Sequence, residues 1–449
     1  MQKTILTQVI LLITSTASSS VFAAAFYNDF QSASAMGNAF VGSGVAGDDI
    51  SMMFYNPATI ALFDEQQFVV AGFYEGTHGE FTVNTATDTF GAPKLDAPGQ
   101  QYDVLPHQFS GAIYTAMPID EYFTLGASLT SPYDGYSDYS NSAVENTARQ
   151  TLLRTYTGNL SLAMEVTEEL SLAAGANLQY LQVKMNAALG ATKTGIIVYN
   201  GFTEYQGDDI AFYPSFGAIY EFSEQTRMGL SYIMNVDQET HGTFESEVSI
   251  VIPQNNIDLS ETIYVPGSSD FHFPDIVSLD FFHQFNEKVE LLADVMFTRW
   301  NVVENTVVQT TQPLSEGGTT TPVDVPLDFR NTWTFGVGAN YYLLKNLKLR
   351  TGVAFDQSPV TDDTRILQVP DADQVDVAIG LMYQPSGWDD LHFDISYMHT
   401  FFQDGTVSQK NPIVNAFPDL IEPGAPIISA TGSFYTYANF VAAQVVYGY

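Results

Sequence analysis

The sequence predicts an all-β chain, a transmembrane antiparallel β-barrel of about 14 strands, and three observations point there. Tyr, Phe and Val recur at alternate positions along many stretches of a 449-residue chain that carries 25 Tyr and 32 Phe. Mean hydropathy is +0.00, the balance expected where every second side chain faces lipid and the others face a lumen. Short and long connections alternate between the runs, as periplasmic turns and extracellular loops do in outer-membrane barrels. Beyond the first residues, no stretch reaches the roughly 18 apolar residues that a spanning helix needs.

In chain order, Lys3 precedes an apolar run over residues 5–13 and small residues ending Val21-Phe22-Ala23, the layout of a cleavable secretory signal. Residues 1–23 are therefore expected to be a signal peptide, cleaved after Ala23, with Ala24 and Ala25 as neighbouring choices. Residues 32–63 read as neither helix nor strand. Gly37, Gly42, Gly44 and Gly47 come too often for a regular element, yet Met36, Phe40, Val41, Met52, Met53, Phe54 and Tyr55 are too apolar for a solvated linker. A compact segment packed inside something larger satisfies both constraints. Asn56, Pro57 and Ala58 close it, because Pro57 lacks an amide proton and pushes Asn56 out of the helical region.

Period two then marks fourteen runs, at about 66–74, 108–117, 122–131, 153–166, 170–186, 211–222, 226–245, 275–285, 289–308, 330–343, 347–355, 373–383, 391–402 and 433–449. Hairpin turns are expected at 118–121, 167–169, 223–225, 286–288, 344–346 and 384–390. Loops rich in Gly, Pro, Asp, Asn and Thr are expected at 75–107, 187–210, 246–274, 309–329 and 403–432. Val289, Leu291, Ala293, Val295 and Phe297 share one strand face, and Glu290, Asp294 and Thr298 the other. Leu391, Phe393, Ile395, Tyr397 and Phe401 likewise oppose His392, Asp394, Ser396 and Thr400. The apolar faces belong to lipid, since a carboxylate in hydrocarbon costs several kcal/mol. Closure follows from the same physics, because an open edge leaves backbone groups unsatisfied. The last run ends on Tyr449, like the signal read by the outer-membrane barrel assembly machinery.

Acidic residues outnumber basic ones 51 to 15, for a formal charge of -36, which excludes nucleic acid as a partner. The excess reads as solvated loops. Without cysteine there is no disulfide framework and no thiolate zinc site. Catalysis is set aside: no Gly-x-Ser-x-Gly elbow occurs, and the seven histidines show no metal-ligand spacing. His392 and Asp394 share a strand face as period two produces by chance, and Asp362-Asp363 and Asp371-Ala372-Asp373 read as solvated carboxylates. No metal or cofactor is expected.

Several blocks, in order, resemble the FadL family of outer-membrane transporters for long-chain fatty acids and other hydrophobic compounds. They are SASAMGNAFVGSGVAGDDISMMFYNPA near the start, LGASLTSP at 125–132, GLSY at 229–232, FPDIVSLDFFHQFNEKVELLADVMFTRW at 273–300, NTWTFGVGANYYLLKNLKLRTGVAFDQSPV at 331–360 and VPDADQ at 369–374. The resemblance implies a hatch, residues 24–64, folded into the lumen of a barrel formed by 65–449. It places Phe26, with Tyr27 beside it, in the ligand pocket. Ser131, Pro132 and Gly135 fall where the family's wall strand kinks to open a lateral exit, and Pro132 cannot donate to a ladder. Fatty-acid members hold the ligand carboxylate with basic side chains; Ala187 and Asp324 stand at two of those places here, and Lys184 and Arg330 are the nearest cations in sequence. The expected function is passive transport of hydrophobic molecules, long-chain fatty acids first. An aromatic-hydrocarbon channel, or a surface adhesin or phage receptor, is the alternative.

Overall fold

The computed structural model describes residues 25–88, 91–193, 197–252, 257–311, 323–410 and 428–449. The expected signal peptide, 1–23, lies outside the described residues. Fourteen strands make the wall: β1 Gln67–Ala86, β2 Gln108–Pro118, β3 Phe123–Thr130, β4 Gln150–Glu165, β5 Leu170–Lys193, β6 Ile197–Ser223, β7 Thr226–Ile233, β8 Ile276–Asn286, β9 Val289–Thr298, β10 Thr332–Leu344, β11 Leu347–Asp356, β12 Gln374–Tyr383, β13 Leu391–Phe402 and β14 Ile428–Gly448. Each pairs antiparallel with the next. β1 pairs with β14 from Gln67↔Gly448 to Ala86↔Ala430, which closes the cylinder. No described helix is long and apolar enough to cross a membrane.

The two faces fall as the alternation requires. On β9, Leu291 is exposed while Glu290 and Thr298 are buried; on β13, Phe393, Ile395, Tyr397 and Phe401 are exposed while Asp394, Ser396 and Thr400 are buried. Exposed Leu160, Phe212, Val337 and Ile379 continue this outward apolar surface around the wall. In water such a belt would aggregate, and in a bilayer it is solvated by lipid.

Strand ends depart from expectation where expected loops are hairpins. β5 and β6 pair without interruption from Leu170↔Tyr220 to Lys193↔Ile197, through the expected loop 187–210. A second hairpin, Val236–Ile252 with Ile257–Phe273, takes up most of 246–274 and pairs with β6. The expected strands 226–245 and 289–308 each break once, at Met234-Asn235 and at the 3₁₀ turn Trp300–Val302. Asp275 redirects the first break, accepting from the Asn235 amide at 3.2 Å and the Tyr232 hydroxyl at 2.6 Å.

The segment from Ala25 to Phe63 packs against the inward side chains of this wall, and most of it is buried. Single turns appear where neither helix nor strand is expected: α1, Ala33–Met36, capped by Ser32, and 3₁₀ turns Ile50–Phe54 and Pro57–Leu62, capped by Asp49 and Asn56. Asn56 is extended at φ -147° as Pro57 demands, and its Oδ1 accepts from the Ala58 amide at 3.0 Å. Wall glycines let the two backbones meet: a Cβ on Gly352 would lie 1.9 Å from the Asn38 carbonyl oxygen, and one on Gly229 2.4 Å from that of Gly44.

Candidate functional site

The wall is breached at β3. Its pairing with β2 runs from Pro118↔Thr124 to Ile113↔Leu129 and then stops, although β2 continues to Gln108 in register with β1. Past Ser131 and Pro132, the chain resumes as a short strand, Asp134–Asp138, paired with β4 alone. The backbone groups freed by this kink are taken by the N-terminal segment. The Asn28 amide donates to the Pro132 carbonyl at 2.8 Å, and the Asp134 amide donates to that of Phe26 at 2.9 Å. Gln31 spans the same corner, donating from Nε2 to the Ser131 carbonyl at 2.8 Å and accepting from the Ser131 amide at 3.1 Å. One strand of the wall thus exchanges its neighbour for the segment inside, which buried backbone groups require.

Two spaces meet at this junction. The larger spans about 770 Å³, open solvent included, between the N-terminal segment and β7 to β13, walled by Tyr27, Phe30, Phe40, Tyr55, Ile276 and Met398. The smaller, about 440 Å³, lies behind the kink between Met53, Phe54, Pro132, Tyr133 and Tyr213. Tyr27 and Ile233 line both. The Tyr27 ring stands 6.4 Å from that of Phe54 and 5.6 Å from that of Tyr133, so it partitions the two spaces. An outer groove of about 540 Å³ is lined by Met185, Ala187, Tyr205, Phe244 and Val308. Burial, and then the nearby Asp376 carboxylate, push the Asp29 carboxyl in the larger space up to about 7.

A buried ionic clasp holds the other end of the segment. Asp48 accepts from Lys348 Nζ at 2.5 Å and from Arg350 Nε at 3.2 Å; Arg350 also reaches Asp394 at 2.5 Å, and Lys348 lies 3.4 Å from Glu290. Burial alone would raise the Asp48 carboxyl, but Arg350 and Lys348 together hold it far below the usual carboxylate range. Gln444 ties in the rest, accepting from the Ala33 amide at 2.9 Å and donating to Asp49 at 2.8 Å. Arg227 donates to the Val45 carbonyl at 2.8 Å and to the Ala46 carbonyl.

A closed antiparallel barrel is the architecture that comparison with known proteins returns. The family model described as outer membrane protein transport protein (OMPP1/FadL/TodX) matches residues 14–447. The chain belongs to this family of outer-membrane transport proteins. It is 28% identical over 410 residues to outer membrane protein P1 of Haemophilus influenzae, covering 84% of this chain and 86% of that protein. It is 24% identical over 430 residues to the long-chain fatty acid transport protein of Escherichia coli K12, covering 89% and 93%. The crystal structure of a Pseudomonas aeruginosa FadL homologue superposes with a TM-score of 0.79 at 20% identity, over 94% of this chain and 99% of that one. The Pseudomonas putida toluene transporter TodX gives 0.64 at 14% identity, over 89% and 94%. Family members are transporters and channels, not enzymes.

Within this family member, the residues singled out from sequence divide into groups. Tyr27, Ser131 and Pro132 come together at the breach, with Gly135 just beyond it in the strand paired to Leu153. Phe26 turns the other way, its ring 6.5 Å from Trp300 and 6.1 Å from Phe329. Asn56, Pro57 and Ala58 contact the wall at β6, with Asn56 Nδ2 donating to the Gly44 carbonyl at 2.8 Å. Lys184 lies apart from both inner spaces, paired with Glu204 at 2.9 Å beside the outer groove. Arg330 is held by Asp373 at 3.1 Å and the Ser358 carbonyl at 3.0 Å. The side chain of Asp324 is outside the described residues.

The solvated reading of Asp371 is corrected: it is fully buried, accepting from Ser358 Oγ at 2.6 Å and the Ala25 amide at 3.0 Å. His392 and Asp394 do more than share a face, with Nε2 3.6 Å from the carboxylate. Together with Asp49 they form a cluster of potential metal ligands, but Arg350, Gln444, Ser34 and Ser51 already donate to its carboxylates. Sequence reasoning missed the clasp altogether. Its signal was Lys348 and Arg350, two cations two residues apart between Leu347, Leu349 and Thr351, which puts both on the lumen face.

Proposed function

We propose that the chain carries hydrophobic small molecules inward across the outer membrane without an energy source of its own. Residues 24–64 serve as the hatch, 65–449 as the barrel and 1–23 as the signal peptide. The observation that carries this reading is the pair of aromatic-lined spaces that meet at Tyr27 beside the breach at Pro132. Cargo would settle first in the outer groove, pass to the larger inner space, and leave past Tyr27 through the gap by Ser131, Pro132 and Gly135 into the membrane. Transferring a methylene out of water is worth about 0.8 kcal/mol, so a dozen carbons supply a gross driving force of roughly 10 kcal/mol with few polar contacts. Tyr449 would serve as the recognition signal for the barrel assembly machinery.

Long-chain fatty acids are the first cargo to test, because relatives in Escherichia coli and Salmonella typhi carry that substrate in their names. Lys184, at the rim of the outer groove, is the cation that an entering carboxylate would meet first. Toluene-like compounds are second, after the TodX and TbuX structures. Uptake of labelled oleate and of labelled toluene is compared in cells with and without the gene, at matched expression of other porins. Faster uptake of either supports the reading, and equal rates for both remove it.

A further inference from the structure

The larger inner space has a one-sided chemistry. Among the described residues, four carboxyl groups line it, Asp29, Asp294, Asp356 and Asp376, and no Lys, Arg or His does. The hydroxyls nearest them are already committed as donors: Thr334 Oγ1 to Asp356 at 2.6 Å, and Thr400 Oγ1 to Asp376. Tyr55, the phenol on the hatch side, donates to the Asp29 carbonyl at 2.7 Å. Gln374, with 5% of its surface exposed, turns its amide nitrogen toward Asp356 and Asp376 at 3.5 Å and leaves Oε1 without a partner. An acceptor buried without a donor costs about 1–3 kcal/mol, so Gln374 Oε1 is a place where a donor brought by a ligand would be favoured.

We propose that this space selects amphiphiles whose head group donates hydrogen bonds and carries no negative charge, an alcohol or an amine, over carboxylates. The alkyl chain lies against Phe30, Phe40, Ile276 and Met398 while the head group reaches Gln374 Oε1 and the carboxylates beside it. A carboxylate in the same place brings a negative charge in among four acidic side chains and supplies no donor, and both effects oppose it. The proposal rests on the reading that the chain moves hydrophobic molecules, and it names the kind of cargo the inner space retains.

The test is equilibrium binding of radiolabelled dodecan-1-ol, dodecylamine, dodecanoate and dodecane to the purified full-length protein in a non-ionic detergent, with uptake of the same four by cells. Measured at about pH 9, where dodecanoate is ionised, the alcohol and the amine should each bind at least ~10-fold tighter than dodecanoate and dodecane. The double variant Asp356→Asn/Asp376→Asn, checked for insertion by heat-modifiable gel mobility, should shrink that preference to within ~3-fold. Gln374→Leu should weaken the alcohol more than dodecane. Equal or tighter binding of dodecanoate overturns the proposal, as does a preference that survives unchanged in the double variant. If cells with and without the gene take up all four equally, the transport reading falls, while the binding preference is still decided by the purified protein.

Discussion

Gly352→Ala is the substitution that most directly asks whether the N-terminal segment is what closes the bore. Gly352 lies on the lumen face of β11, and a methyl group there would sit 1.9 Å from the Asn38 carbonyl oxygen and 2.3 Å from its carbon. Both are backbone atoms, so no rotamer change relieves the clash, and the segment must retreat by roughly 1 Å or more to regain van der Waals distance. That retreat strips Asn38 Nδ2 from Asn340 Oδ1 at 2.9 Å and from the Thr351 carbonyl at 3.0 Å. At about 1 kcal/mol for each bond, plus the penalty for the acceptors left buried, the docked state loses roughly 2–4 kcal/mol. The population with the segment displaced then rises roughly 30- to 1,000-fold. Single-channel recording in planar bilayers reads this directly as more frequent openings and a larger ion leak, with the β signature in circular dichroism unchanged. Gly72→Ala is the control, since a Cβ there meets nothing within 4 Å. If Gly352→Ala conducts no more than Gly72→Ala or the natural protein, the segment does not seal the barrel and the reasoning fails.

Three further outcomes follow from the same geometry. Pro132→Ala restores an amide that can pair with β2, so hydrophobic uptake should slow by ~3- to 10-fold with normal insertion; unchanged uptake removes the lateral exit. Asp48→Asn leaves Lys348 and Arg350 short of an anion in a buried site, costing about 3–5 kcal/mol of the N-terminal segment's docking, which should appear as conductance and increased protease cleavage near residue 48. Asp29, raised to about 7, faces Asp376, Asp356 and Asp294 together with Tyr27 and Tyr55. A carboxyl whose folded value is raised contributes most below its unfolded value and loses that contribution as pH climbs through the folded one. Protease sensitivity of the N-terminal segment should therefore rise between about pH 5 and 8 in the natural protein and rise less in Asp29→Asn.

The wall was legible because a lipid-facing strand has to alternate: Leu391 to Phe401 and Val289 to Phe297 announce their faces without any partner in view. Strand ends were less so. Residues 187–210 and 246–274 carry the Gly, Asp, Asn and Thr of loops, yet they pair as long hairpins whose faces need not be apolar. The kink could be anticipated from Pro132 alone, whereas its compensation could not. Nothing local in Phe26 or Asn28 marks them as the partners of Asp134 and Pro132, about a hundred residues away. The clasp shows the same limit more sharply. Lys348 and Arg350 could be assigned to the lumen from period two, but their anion comes from Asp48, which in sequence is one of an ordinary acidic pair.

The two ends of the inner segment are held by unlike forces, and that difference bears on how cargo could open a path. At the clasp, Asp48 meets two cations in a site from which water is excluded, so separating them strands charge and costs several kcal/mol. At the breach, the segment holds the wall by a few neutral hydrogen bonds from Phe26, Asn28 and Gln31, each worth about 1 kcal/mol net. A molecule that fills the space on one side of Tyr27 can shift an equilibrium only by the difference in its affinity for the two states. That difference is commonly a few kcal/mol, enough to undo the pairing at the breach and too little to release the clasp. The route proposed above therefore requires only the stretch around Tyr27 to peel from Pro132 and Asp134, with the remainder of the N-terminal segment left in place.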